Sequence, residues 1–138
     1  MVARRGWTRA WWEAAVGRDE LVTSEAVLEE LERGEFDARE DCLALLADLP
    51  LLRIDQSVME VVDTYLHHHV MPLDPKGDAL HLAVTSFHRC DFLATWNCRH
   101  LANPNKFNHI RRVNTMLGIQ VPALVTPYEL LGVDDGQD

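Results

Sequence analysis

A chain of 138 residues with 47% hydrophobic content suits one domain around a single core. Its 22 acidic against 13 basic residues, a net charge of −9, argue against a protein that coats nucleic acid by bulk electrostatics. No apolar run approaches the roughly 20 residues that span a bilayer, and the Arg-containing start lacks the apolar region of a signal peptide. A cytoplasmic protein without membrane contact is therefore expected.

The first predicted element is a helix from about Thr8 to Val16, with Trp7, Trp11 and Ala15 at helical spacing and Trp12 alongside. A short strand over Glu20 to Thr23 follows, then a helix that stops at Gly34, a residue suited to a C-terminal cap. Val27, Leu28 and Leu31 set the apolar face of that helix. Glu25 and Glu29 point away from it, while Glu30 and Glu32 both flank it. A helix from Arg39 to Asp48 is closed by Pro50, and Leu51 to Ile54 reads as the next strand. Ser57-Val58-Met59-Glu60 reads as a capping box opening a helix toward His67. His67, His68 and His69 point in three directions on a helix, so they suit a frayed end better than a joint ligand set.

Pro75 and Gly77 punctuate the loop before Asp78, which opens a helix whose Leu80, Val84 and Phe87 recur at three and four residues with Ala83 between them. A carboxylate at that helix start is favoured by the helix dipole and reads most simply as an N-cap. Asp91 reads as a turn residue, and Phe92 to Trp96 as a strand covered on both faces, with Asn97 at its carboxyl end. In open α/β sheets ligands bind beyond such ends. Lys106, His109, Arg111 and Arg112 share a helix with Phe107, Ile110, Val113 and Leu117, which reads as a solvated basic face. A last strand precedes Thr126-Pro127-Tyr128-Glu129, a second capping box, and Asp134, Asp135 and Asp138 form an acidic tail over about residues 133–138. Cys42, Cys90 and Cys98 make no paired framework and read as reduced thiols.

Strands alternating with helices predict a parallel α/β sheet in one domain over residues 1–138. Asp78-Ala-Leu-His-Leu-Ala83, the strand reading Leu93-Ala-Thr-Trp-Asn97 and the following His100-Leu-Ala-Asn103 resemble the second half of a PIN domain. Thr23-Ser24 with the helix to Leu31 resembles the family's second strand and helix, and Gln120 to Leu131 its last strand and closing turn. The resemblance implies a three-layer α/β/α fold with strand order 3-2-1-4-5, from which the first, central strand and its Asp are missing in this chain. Met1 to Gly6 is too short and too basic to supply that strand. Either in-frame codons upstream of Met1 encode it, or the chain is a shortened form whose sheet has a gap between two unpaired edges.

PIN domains are small metal-dependent nucleases, many of them toxins of VapBC-type toxin–antitoxin pairs. The resemblance thus implies an endoribonuclease using Mg²⁺ or Mn²⁺, with RNA as substrate, an antitoxin protein as partner, and association with a second copy. Its register selects Glu30 over Glu32. By the same resemblance Glu30 and Asp78 are the metal-binding acids, Asn97 stands where a further acid often lies, and His100 and Asn103 orient substrate or the metal's surroundings. Carboxylate oxygens suit these hard cations. His81, one turn after Asp78, reads as a histidine packed on the helix surface. A non-catalytic PIN-derived interaction module is the alternative.

Overall fold

The computed structural model describes residues 2–33, 39–71, 77–95, 101–127 and 129–130. The first half alternates α1 (Val2–Val16), β1 (Thr23–Ser24), α2 (Glu25–Arg33), α3 (Arg39–Leu46) and β2 (Leu51–Leu52). The second half contains α4 (Gln56–His67), α5 (Asp78–Phe87), β3 (Phe92–Ala94), a 3₁₀ turn (Pro104–Lys106), α6 (Phe107–Leu117) and β4 (Ala123–Val125). No described helix is long and apolar enough to cross a membrane.

The strands form two separate parallel pairs rather than one sheet, β1 with β2 and β3 with β4. Thr23 stands opposite Leu51, and Phe92, Leu93 and Ala94 stand opposite Ala123, Leu124 and Val125. The chain is therefore mixed α/β with parallel pairing, and the three-layer sheet expected from the resemblance is not seen as one continuous sheet. The outer pairings are those of a 3-2-1-4-5 order read without its middle strand.

Packing divides unequally between the halves. One hydrophobic cluster joins Val58, Val61, Val62 and Tyr65 of α4, Ala79, Leu82, Ala83 and Val84 of α5, Ile110 and Val113 of α6, and Leu124 of β4. From α1 to β2, by contrast, Ala15 and Ala26 are the only buried apolar residues among those described. A polar knot pins the three packed helices: the buried Tyr65 hydroxyl donates to Asn114 Oδ1 at 2.6 Å. Asn114 Nδ2 in turn donates to Ser86 Oγ at 3.1 Å and to the Gln120 carbonyl at 3.0 Å. Burial raises the Tyr65 phenol from its ordinary 10.0 to about 12, against the opposing effect of its Ser86 and Asn114 hydrogen bonds.

Several sequence expectations shift. The first helix begins at Val2 rather than near Thr8, and β1 lies at Thr23–Ser24 rather than Glu20–Thr23, because Ser24 still pairs before its side chain caps α2 through Val27 N–H at 3.4 Å. The cap of α4 is Asp55, whose carboxylate accepts from Val58 N–H at 3.2 Å, so Ser57 lies inside the helix and is not its N-cap. A carboxylate three residues before that N–H outcompetes the hydroxyl nearer to it. The third helix ends at Leu46, not Asp48, and β2 ends at Leu52, not Ile54. On α2 the buried residue is Ala26, with Val27, Leu28 and Leu31 half-buried. On α5 the buried face is Ala79, Leu82, Ala83, Val84 and Ser86, with Leu80 and Phe87 half-buried.

The strand at Phe92 is not covered on both faces: Phe92 is 54% exposed, since β3 has a partner on one edge only. Other expectations match what is seen. The second capping box forms reciprocally, Thr126 N–H donating to Glu129 Oε1 at 2.9 Å and Glu129 N–H to Thr126 Oγ1 at 3.2 Å. On α6, Ile110 and Val113 are buried while Arg111 and Arg112 are exposed. Gly34, Cys98 and the acidic tail lie outside the described residues.

Candidate active site

The candidate site lies where α2 meets α5. Gly77 is the N-cap of α5, so Asp78 is its first helical residue and not the cap. There its carboxylate still benefits from the positive end of the helix dipole. His81 follows three residues later on the same side of the helix. Its Nε2 lies 2.6 Å from Glu30 Oε2. A carboxylate can only accept, so Nε2 carries the proton and donates it to Glu30.

The pair differs in exposure: the His81 side chain is 14% exposed and that of Glu30 59%. The imidazole is thus anchored in the protein, and the flexible Glu30 side chain is held by it. This contact also separates the two acids that helical spacing leaves equivalent, because Glu30 is the one that reaches α5. Sequence reasoning found Glu30 and Asp78 but missed His81 as their link. The available signal was His81 one turn after Asp78.

Asn97 and His100 lie outside the described residues. Asn103 caps the 3₁₀ turn, its side-chain oxygen accepting from Asn105 N–H at 3.0 Å, which gives it a backbone role. Glu25, Glu29 and Glu32 are exposed on α2. Among the described residues no three His, Cys, Asp or Glu side chains converge as a metal-ligating group. Glu30 and Asp78 nevertheless supply the donor type that Mg²⁺ accepts, since this ion keeps several waters and needs only one or two carboxylates beside a phosphate.

Cys42 and Cys90 are free thiols. Burial, and then the charge of Asp91, push the Cys90 thiol up, which keeps it protonated and unreactive at neutral pH. A groove of about 720 Å³ adjoins the site, lined by residues of α1, both inner strands and α5, with His81 among them. No protein-family model matches the chain, and no curated protein or solved structure matches it either.

Proposed function

We propose that the protein is a PIN-like endoribonuclease dependent on Mg²⁺ or Mn²⁺, with Glu30 and Asp78 as its cation-binding acids. The observation that carries this reading is the Glu30–His81 contact, which ties an acid of α2 to the helix that opens on Asp78. A bound Mg²⁺ would supply a lowered pKa for its water and charge neutralisation at a scissile phosphate. His81 holds the Glu30 carboxylate and presents it beside Asp78, a positioning role for an outer partner of a metal-binding acid. The acidic surface suits such a reaction only with a cation between protein and phosphate. RNA as substrate, an antitoxin partner and a second copy of the chain belong to the same proposal.

The test is cleavage of single-stranded RNA by purified protein with Mg²⁺, with Mn²⁺ and with chelator, alongside Asp78→Asn and His81→Ala. Asp78→Asn is expected to remove most of the activity without unfolding the chain. His81→Ala is expected to lower activity by about 10–100-fold and to weaken the Mg²⁺ dependence of the rate. Cleavage that survives both chelator and Asp78→Asn would sink the metal assignment.

A second reading, an interaction module without catalysis, is favoured by the groove between the two strand pairs. An inactive but peptide-binding protein is its expected outcome.

A further inference from the structure

We propose that the groove between β1 and β3 is a strand-acceptor site, whose occupant is an extended, uncharged, apolar segment of a partner polypeptide that hydrogen-bonds both strand pairs at once. The inference does not depend on the nuclease reading.

The backbone defines what the groove needs. Along a parallel strand, alternate residues aim their N–H and C=O groups at opposite neighbours. On β3, Asp91 C=O accepts from Ala123 N–H at 2.8 Å and Thr95 N–H donates to Val125 C=O at 2.9 Å. Asp91, Leu93 and Thr95 therefore serve β4, and the groups of Phe92 and Ala94 face the other way. On β1, Thr23 N–H donates to Pro50 C=O at 3.0 Å, which leaves Val22 and Ser24 aimed away from β2. Val22, Ser24, Phe92 and Ala94 all line the groove. Two strand edges thus meet one empty volume, and only an extended polypeptide offers donors and acceptors on both of its sides at strand spacing.

The walls define its composition. Trp11, Trp12, Leu52, Val84 and Leu93 line the groove, so a charge at the centre of the segment would be desolvated without a partner. The indole N–H of Trp11 is buried without an acceptor, as in a core that lacks one layer. The volume of about 720 Å³ admits a short segment, and about five extended residues span roughly 17 Å. A second copy does not fit this need. Each described strand already pairs on one edge, so none can pair on both without leaving its own sheet.

The probe is the peptide acetyl-Lys-Lys-Val-Ile-Val-Ile-Val-Lys-Lys-amide, titrated into residues 1–138 with thermal unfolding and tryptophan fluorescence as readouts. Two further peptides carry N-methyl groups on the three Val or on the two Ile. Insertion uses both edges of the peptide, so the parent is expected to raise Tm by at least about 5 °C at saturation and neither methylated peptide to do so. Ala94→Pro removes a groove-facing N–H while sparing those that serve β4, and is expected to weaken parent binding at least tenfold. Circular dichroism checks its fold; should it fail to fold, the methylated peptides decide. Retained binding by one methylated peptide would mean single-edge addition and would overturn the proposal, as would no effect of the parent peptide.

Discussion

At the scale of single residues, Tyr65 concentrates the energetics of the packed half. Its hydroxyl is fully buried and donates to Asn114, so the neutral phenol is the form the fold favours. With the folded pKa raised from 10.0 to about 12, the stability from this group is fully present below about pH 10 and is lost as pH rises toward 12. That displacement is worth about 2–3 kcal/mol. Tyr65→Phe should lose the alkaline component, seen as a shallower fall of stability between pH 10 and 12 than in the parent protein. At neutral pH it should cost about 1–3 kcal/mol, because Asn114 Oδ1 is left buried without its donor. Urea unfolding at several pH values reads both effects; equal slopes for the two proteins above pH 10 would contradict the assignment. Glu30 and His81 show the complementary lesson. Among four glutamates on one helix, a single contact across to α5 distinguishes one.

Helices and strands obey local chemistry until a competing neighbour intervenes. At α4 the sequence offers both Asp55 and the Ser57–Glu60 box, and the carboxylate of Asp55 takes the N–H of Val58. Asp55→Ala should therefore destabilise the protein by about 0.5–2 kcal/mol, while Ser57→Ala stays near neutral. Chemical unfolding of both variants checks this, and the reverse order would restore the capping box at Ser57. The Thr126–Glu129 box forms as read because Pro127 preorganises the first turn and no rival acid precedes it. Strand lengths were the least legible feature. Both inner strands end within two or three residues, since each has a partner along one edge only.

At the scale of the whole molecule, the asymmetry of burial governs behaviour. The cluster on α4, α5, α6 and β4 is continuous, whereas from α1 to β2 the described buried apolar residues are two alanines. Val16, Leu45 and Leu51 are exposed in the same half. Residues 1–138 on their own should therefore open in parts: amides of β1 and α1 to α3 exchange through low-energy opening, and those of α4 to α6 only near global unfolding. Hydrogen exchange with mass spectrometry measures this, with dye binding to exposed apolar surface as a second readout. Uniform protection and one sharp transition in a monomer would show that the two strand pairs are stable without a segment between them.

The order of elements, their parallel α/β character, the caps at Thr126 and the acids Glu30 and Asp78 were determined by the sequence alone, because periodicity, punctuation and helix-start chemistry are local. Local rules cannot say how two strand edges face each other, which of two carboxylates reaches a histidine 51 positions away, or where a groove opens. Those were decided by tertiary structure, since each depends on distances between segments remote in the chain. His81 is the clearest case: bland by its own spacing, it gains a role only when α2 packs against α5 and brings Glu30 to its ring.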